Sequence, residues 1–294
     1  MSLDPLQLAA LSTVLRLGSF DAAAAALRVT PSAVSQRIKA LEERIGTTLI
    51  HRGQPCTGTA IGNRLAKHAQ DVALLEANAL AGLPMQDRTA PRVSLAVPAD
   101  SLATWLIPAL AQVPDLLFDL TLDDQDTSDT WLRRGAVSAA VTGHARAAPG
   151  CDVHALGHLR YIATASPAFV AQYFAKGVTA KALGQAPMLT FNAKDRLQHR
   201  WAETQAGGRL HPPTHQLPST HGFIDAALCG LGWGMNPQAL VQDLLDRGTL
   251  ISLVENAPLD VPLYWQVTRV MAPALSALTT AIKKSARHGL HPAG

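Results

Sequence analysis

The sequence predicts an α/β protein in which a small helical unit comes first, a long helix follows, and a two-lobed α/β body forms the remainder. Three observations lead to this prediction. Three short segments of helical periodicity occupy the first part of the chain. One uninterrupted helical pattern then runs over about 20 residues, and strand-like and helical segments alternate after it. At 294 residues, the chain is long enough for two or three domains.

The positive charge of the chain is concentrated in its first unit. Residues 1–68 contain 8 Lys and Arg against 4 Asp and Glu, a net charge of +4. The remaining 226 residues contain 17 basic and 18 acidic side chains, a net charge of −1. A basic excess confined to one module is what a phosphate-binding domain requires.

Composition and cysteine usage indicate an intracellular globular protein. Apolar residues make up 48% and charged residues 16% of the chain. No apolar run reaches the ~20 residues that span a membrane, and no secretory signal is visible. Cys56, Cys151 and Cys229 form neither a metal-ligand spacing nor an even disulfide set. We therefore expect a cytoplasmic protein without a membrane partner.

Two helices are predicted before the first turn motif. The first covers roughly Pro5–Leu17 and ends at Gly18, because leucines recur at helical spacing at positions 8, 11 and 15. Phe20 follows as a candidate core residue between helices. The second helix is expected over residues 21–27 with Asp21 as its N-cap, and residues 28–30 form the turn after it.

The third helix has the pattern of a DNA-reading helix. Thr30 is its predicted N-cap, and Pro31 takes the first position, where a missing N–H costs nothing. One stripe is apolar and should be buried, at Val34, Ile38 and Leu41. The other side offers hydroxyls, an amide and cations, which can contact bases in the major groove. An ordinary surface helix is the alternative. The predicted DNA-binding residues are the cap, the polar positions of this helix and an arginine that follows it: Thr30, Pro31, Ser32, Ser35, Gln36, Arg37, Lys39 and Arg52.

A short wing and a long helix are predicted next. After Gly46, the apolar pair at 49–50 precedes His51 and Arg52, which indicates a two-stranded wing that reaches phosphate or the minor groove; a solvated loop charge is the alternative for Arg52. Thr59 then caps a helix over roughly residues 60–80. Apolar positions on this helix fall on a heptad-like seam with one polar interruption, at Ile61, Leu65, His68, Val72, Leu75 and Ala79. The seam could pack on its own winged domain, but we favour pairing with a second copy of the chain.

The body of the protein alternates strands and helices. The first strand-like and helical segments cover residues 92–97, 101–111, 116–122, 128–134 and 138–141. A second set covers residues 161–164, 167–174, 188–191, 222–228, 232–235, 263–268 and 273–287. This alternation implies a parallel sheet with crossover helices, and two such units, with chain crossings near Tyr161 and Val261, make a two-lobed body.

Residues 5–62 resemble the winged helix-turn-helix of LysR-type transcriptional regulators, on the core TPSAVSQRIKALEERIGTTLIHR (30–52) and the Thr59-x-x-Gly62 pair. Downstream stretches resemble the arginine- and lysine-export regulators of the ArgP/LysG type. They are LATWLIPAL (102–110), residues 122–142, residues 158–177, FNAKDRLQ (191–198) and GLGWGMNP (230–237). The resemblance therefore covers nearly the whole chain.

The resemblance implies an effector domain like a periplasmic binding protein, a dimerising linker helix and a tetramer. Promoter DNA is then the partner, RNA polymerase a further candidate, and lysine or arginine the suspected effector, with no cofactor. The predicted domains are a winged helix-turn-helix (1–60), a linker helix (61–82), a hinge (83–91), lobe I (92–161 and 262–294) and lobe II (162–261).

Ligands of open parallel sheets bind beyond the carboxyl ends of strands, where helices begin. This rule gives the predicted effector site Ser101, Asp123, Asp124, Asp126, Thr142, Ser219, Thr220, His221 and Phe223. An α-carboxylate at Ser101 and a cationic tail near the aspartates is the expected pose, although Ser101 could be a plain cap and the aspartates a solvated loop. His221 stands where the ArgP/LysG branch is expected to carry glutamate. The alternative is therefore a LysR-type regulator with a non-basic effector.

Enzyme chemistry finds little support in the sequence. It contains no glycine-rich phosphate loop, zinc-ligand spacing or Gly-x-Ser-x-Gly elbow. The pair His211 and His215 is separated by two prolines, which break any helix that would aim both rings at one metal. We predict a regulator with no catalytic residue and no metal. An enzyme with a periplasmic-binding-like fold is the less favoured alternative, as is a nucleoid-type DNA binder that needs no ligand.

Overall fold

The computed structural model describes residues 3–81, 83, 90–124 and 128–292. The predicted hinge lies mostly outside the described residues, as does Asp126. The first unit consists of α1 (Pro5–Leu17), α2 (Phe20–Leu27), α3 (Pro31–Ile45), β1 (Ile50–His51) and β2 (Thr57–Gly58). The linker helix is α4 (Ala60–Ala79). Apolar side chains from all three short helices and β1 form one core in this unit.

Local hydrogen bonds explain where these helices begin and end. Gly18 and Gly46 end α1 and α3 in the left-handed conformation, with φ of 68° and 80°. Thr30 Oγ1 accepts a hydrogen bond from Ala33 N at 3.2 Å, so the predicted cap of α3 is confirmed. The predicted cap of α2 is wrong, because the helix begins at Phe20 and Ser19 Oγ accepts from Ala22 N. Asp21 lies in the first turn instead.

The linker helix crosses the β1 end of the first unit at very short range. Gly62 is buried, and a Cβ placed on it would clash with Leu49 O. Thr59 Oγ1 caps the helix by accepting from Gly62 N at 3.0 Å. The helix packs against α1 through a face that includes Leu65. The predicted heptad-like seam therefore does not form one continuous face. Leu65 packs against the core of the first unit, whereas Ile61 is 45% exposed.

The effector body contains helices and strands from Arg92 to Gly289. Its lobe I begins with β3 (Arg92–Val97), α5 (Ala99–Ser101), a π-helical turn (Leu102–Leu106), α6 (Ile107–Leu110), β4 (Leu117–Leu122), α7 (Asp129–Arg133), β5 (Ala139–Thr142) and β6 (Cys151–Ala165). Lobe II adds α8 (Pro167–Tyr173), α9 (Ala180–Gln185), β7 (Met188–Thr190), α10 (Leu197–Ala206), β8 (Thr214–Gln216), α11 (Thr220–Leu228), β9 (Gly234–Pro237), α12 (Gln238–Asp246) and β10 (Ile251–Ser252). The chain then returns through β11 (Leu259–Thr268) and α13 (Ser276–Gly289).

Two long antiparallel strands connect the lobes. The main sheet has the order β10-β6-β11-β5-β3-β4, and β9 also pairs with β6. β3 is parallel to β4 and β5, whereas β11 is antiparallel to β5 and β6. The sheet is therefore mixed rather than parallel throughout. Tyr161 on β6 pairs with Leu259 on one side and with Pro237 on the other, so β6 lies between β11 and β9 at this point.

The helix after β3 opens earlier than predicted. It starts at Ala99 directly after Pro98, so Ser101 is not its first residue. Its middle is a π-helical turn that ends before Ile107. Pro108 has no N–H and its ring would clash with a carbonyl four residues earlier, which accounts for the widened turn. Among the residues that the structure describes, none of the helices has the length and hydropathy needed to cross a bilayer.

Candidate DNA-binding helix and ligand cleft

The outer face of α3 presents the predicted base-reading residues together. Ser32, Gln36 and Lys39 are exposed and fall at i, i+4 and i+7, with Ser35 half-buried beside them. Lys39 also pairs with Glu43 at 3.7 Å on the same exposed face. This arrangement leaves short polar side chains free to meet the edges of bases.

The other predicted DNA contacts lie around this face. Thr30 and Pro31 form the exposed start of the helix, and the Thr30 hydroxyl is already used as the cap. Arg37 is half-buried and turned away from the Ser32–Lys39 face by the helical repeat. Arg52 is exposed on the wing, where its guanidinium lies over the Phe20 ring at 5.4 Å from the centroid. This cation–π contact gives the wing arginine a preferred position.

A cleft between the lobes collects acidic side chains. Its cavity has a volume of about 40 Å³, and the free space in and around it, open solvent included, is about 480 Å³. Lobe I contributes Asp100, Asp123 and Asp124. Lobe II contributes Asp195, Gln198, Thr220 and Asn236 as its polar lining, with apolar surface from Phe191, Phe223 and Met235. Asp123, Asp124, Thr220 and Phe223 are thus predicted site residues that the structure brings together.

Asp100 joins the two lobes across the cleft. Its carboxylate accepts a hydrogen bond from Thr220 Oγ1 at 2.6 Å and another from Tyr161 Oη at 2.7 Å. Burial raises the pKa of Asp100, the Asp195 charge adds to this, and the two hydroxyl donors oppose it. Burial and the Asp100 carboxylate also raise the pKa of Tyr161 well above its ordinary value.

Two further carboxylates are held in fixed positions by donors from their own lobes. Asp123 accepts from Asp124 N and from Trp131 Nε1, both at 2.8 Å. Asp195 is 4% exposed and accepts from Phe191 N at 2.8 Å and Leu197 N at 3.0 Å. These donors fix the orientation of both carboxyl groups at the wall of the cleft.

Two buried amide side chains in the cleft have an unused acceptor oxygen. Gln198 and Asn236 are 1% and 0% exposed. Neither Gln198 Oε1 nor Asn236 Oδ1 has a hydrogen-bond partner among the described residues, although Asn236 Nδ2 donates to Thr164 Oγ1 at 2.9 Å. A buried acceptor without a donor costs free energy, so both atoms suit a ligand that donates hydrogen bonds.

The structure places four predicted effector residues outside the lining of this cleft. Thr142 is buried, and its Oγ1 accepts a hydrogen bond from Gln266 Nε2 at 3.1 Å. The same Gln266 nitrogen donates to His144 O, so these contacts hold the loop after β5. Ser219 Oγ caps α11 by accepting from Gly222 N at 3.1 Å. The His221 side chain is exposed on the first turn of that helix. Ser101 is fully buried behind the helix start, and its Oγ has no partner among the described residues.

The sequence-based prediction missed Asp100, Asp195, Gln198 and Asn236. Asp100 is adjacent to Ser101, and it was passed over because the helix was expected to begin two residues later. Asp195 and Gln198 lie at the start of α10, a helix for which the sequence-based prediction contained no element. Asp195, Gln198 and Asn236 lie in stretches that were recognised only by their resemblance to the ArgP/LysG branch. No role was predicted for these side chains.

Comparisons with known proteins agree with this architecture. Residues 6–63 match the bacterial regulatory helix-turn-helix protein, lysR family, and residues 86–287 match the LysR substrate binding domain. The regulator LysG of Mycobacterium tuberculosis is 44% identical over 287 residues, covering 97% of this chain and 94% of that protein.

Two solved structures cover almost the whole chain. The crystal structure of ArgP from M. tuberculosis superimposes with a TM-score of 0.79 at 42% identity, covering 99% of this chain and 100% of that one. Full-length LysG from Corynebacterium glutamicum with bound effector Arg gives a TM-score of 0.65 at 35% identity, with the same coverage. The likeness to periplasmic binding proteins is an analogy of fold. The helix-turn-helix, the two-lobed body and these relatives, which are named as transcriptional regulators and not enzymes, show that the chain belongs to the LysR family of DNA-binding transcriptional regulators.

Proposed function

We propose that this regulator senses a basic amino acid, arginine or lysine, in the cleft between its lobes. The observation that carries the proposal is the charge of the cleft: four carboxylates line it, and no basic side chain does among the described residues. Carboxylates that lie close together stabilise a bound cation and repel an anion. The unpartnered oxygens of Gln198 and Asn236 add two acceptors for the N–H groups of such a ligand.

The alternative of a non-basic effector depended on His221. Its side chain is exposed outside the cleft lining, so the missing acid at this position does not remove charge from the cleft. Asp100 and Asp195, which the sequence-based prediction did not include, add two carboxyl groups to the lining of the cleft. The bound effector Arg of the C. glutamicum relative supports the same assignment.

We further propose that the protein binds promoter DNA as a dimer and assembles into a tetramer. The contacts with DNA come from the exposed face of α3 and from Arg52. The outward part of the linker helix, with Ile61 and His68 exposed, is the surface for pairing with a second copy. The names of the relatives point to a promoter of amino-acid export, for example the lysine export regulator of C. glutamicum, and RNA polymerase is then a further partner.

Calorimetry on the full-length protein tests the effector. We expect L-arginine or L-lysine to bind, and L-citrulline, a neutral analogue of arginine, to bind at least about tenfold more weakly, because charged hydrogen bonds contribute ~1.5–3 kcal/mol each. Asp124→Asn should weaken arginine binding by about 10- to 100-fold on the same basis. Asp115→Asn, at an exposed position outside the cleft lining, is the matched control and should bind like the wild type. Equal affinity for arginine and citrulline would reject a charge-reading cleft.

A further inference from the structure

The second half of the linker helix α4 is docked on lobe I through one face. Residues 67, 70, 71 and 74 are spaced at i, i+3, i+4 and i+7, so they point to the same side. Leu74 is 3% exposed and belongs to the same core as Val93 and Leu95 of β3. Gln70 Oε1 accepts a hydrogen bond from Ser94 Oγ at 2.9 Å. The helix is therefore part of the effector body as well as of the winged domain.

A buried lysine lies at the centre of this docking face. Lys67 is 7% exposed, and its ammonium donates to Asp71 on the same helix and to Ser138 Oγ at 2.9 Å. Ser138 is 2% exposed, and its hydroxyl donates to Asp71 Oδ1 at 3.1 Å. The three side chains form a closed set of hydrogen bonds across the contact between helix and lobe.

Ser138 is tied to the strand that runs to lobe II. Its N–H donates to Ser94 O at 2.9 Å, and its carbonyl accepts from Thr268 N at 3.0 Å. Thr268 is the last residue of β11, one of the two strands that connect the lobes. A shift of β11 when the lobes move is thus felt at Ser138, and through Ser138 at the linker helix.

Burial of the Lys67 ammonium at this contact carries an unfavourable desolvation free energy. Desolvating the charge costs several kcal/mol, whereas an apolar side chain would pack without that cost. A rotation or slide of the helix would part Lys67 and Asp71 from Ser138 and leave the ammonium with Asp71 alone, so the present register is the one that satisfies all three groups. The other half of α4 packs against α1, so a fixed register here also fixes the winged domain.

We propose that Lys67, Asp71 and Ser138 form a coupling joint that holds the linker helix on lobe I in one register and passes effector-dependent movement of the lobes to the DNA-binding domain. Lys67 and Ser138 are positioning residues, since neither contacts DNA or the cleft. The inference rests on the proposed function, because it requires an effector that changes DNA binding.

The test measures effector binding and its effect on DNA separately. The probes are L-arginine and a duplex that the wild-type protein enriches from a randomised library. In Lys67→Met, which keeps the length of the side chain, we expect the Kd for arginine to stay within about twofold of the wild type. The factor by which saturating arginine changes DNA affinity should fall at least about fivefold toward unity. Lys284→Met, on the exposed side of α13, is the matched control and should keep the wild-type factor.

Ser138→Ala removes one hydroxyl and should reproduce the loss of coupling, so it carries the test if Lys67→Met does not fold. If both variants bind arginine and keep the wild-type factor, the coupling joint is refuted. If wild-type protein binds arginine without any change in DNA affinity, or does not bind it, the proposed function fails and the joint fails with it. Failure of the coupling joint is seen in the variants, while the wild-type protein still responds to arginine. Failure of the proposed function is seen in the wild-type protein itself, so the two results are distinguishable.

Discussion

Thr220→Val isolates the hydrogen bond that joins the lobes through Asp100. Thr220 is 7% exposed, and its hydroxyl lies 2.6 Å from the carboxylate. Valine has nearly the same shape but no donor, so packing is kept while one hydrogen bond to a charged group is lost. Such a bond contributes ~1.5–3 kcal/mol to stability. In the variant, the Asp100 carboxylate loses the Thr220 donor and retains the hydrogen bond from Tyr161 Oη. We expect the free energy of unfolding of the effector domain to fall by about this amount at pH values at which Asp100 is ionised.

The pH dependence of this loss has a definite sign. The pKa of Asp100 is raised in the folded protein, so the folded state holds its proton more tightly than the unfolded chain. Stability from this group therefore rises as pH falls through the window between the raised and the ordinary value, and declines as pH rises through it. The Thr220 donor lowers the pKa of Asp100, so its removal extends the window upward. The cost of Thr220→Val should be largest above the window, where Asp100 is ionised, and smaller below it.

Urea unfolding of the full-length protein at pH 7 and at pH values approaching the ordinary range of a carboxyl measures both effects. For a domain of about 200 residues, the loss expected with Asp100 ionised corresponds to ~3–12 °C in Tm. Thr280→Val is the matched control, because its hydroxyl donates only to Ser276 O on an exposed helix face, and it should change stability by less than about 0.5 kcal/mol. A Thr220→Val protein as stable as the wild type at pH 7, or one whose loss grows as pH falls, would refute the reasoning.

Two further substitutions test the DNA-binding unit. Gln36→Ala should weaken binding to the selected duplex by ~1–3 kcal/mol and relax the preference at one base pair, measured as affinities over a set of single-base operator variants; equal losses on all variants, or none, would contradict base reading by this side chain. Gly62→Ala places a methyl group in a clash with Leu49 O, so the linker helix must move away from β1. We expect a loss of about 1–3 kcal/mol in stability of the winged unit, followed by thermal unfolding, with exposed Gly208→Ala as the control. A Gly62→Ala protein with an unchanged Tm would show that the helix can shift freely.

Much of the first unit is determined by interactions between residues close in sequence. The Thr30 cap, the proline after it and the glycine at position 46 act within one turn of α3, so the sequence alone predicts the bounds of this helix. Its buried stripe follows from the helical repeat in the same way. Even here, the predicted Asp21 cap of α2 was wrong, because Ser19 is the residue with the extended backbone of an N-cap.

The resemblance to LysR-type regulators carried the prediction of the fold class. Strands such as β3 stood out because they are short apolar runs between turn residues. Helices α9, α10 and α12 were missed, since each of these segments is brief, at 6, 10 and 9 residues. Their stability comes from contacts with distant strands, which no short stretch of sequence displays.

The cleft and the coupling joint were decided by tertiary structure alone. Asp100 and Thr220 are 120 residues apart, and Lys67 and Ser138 are 71 apart. Hydrogen bonds of this kind exist only after two long strands have brought both lobes and the linker helix together. The sequence by itself determined that the first unit contains the three helices of a helix-turn-helix domain, because caps and periodicity act locally. Only the folded chain decided which carboxylates share a cleft, because their proximity results from chain crossings rather than from spacing along the sequence.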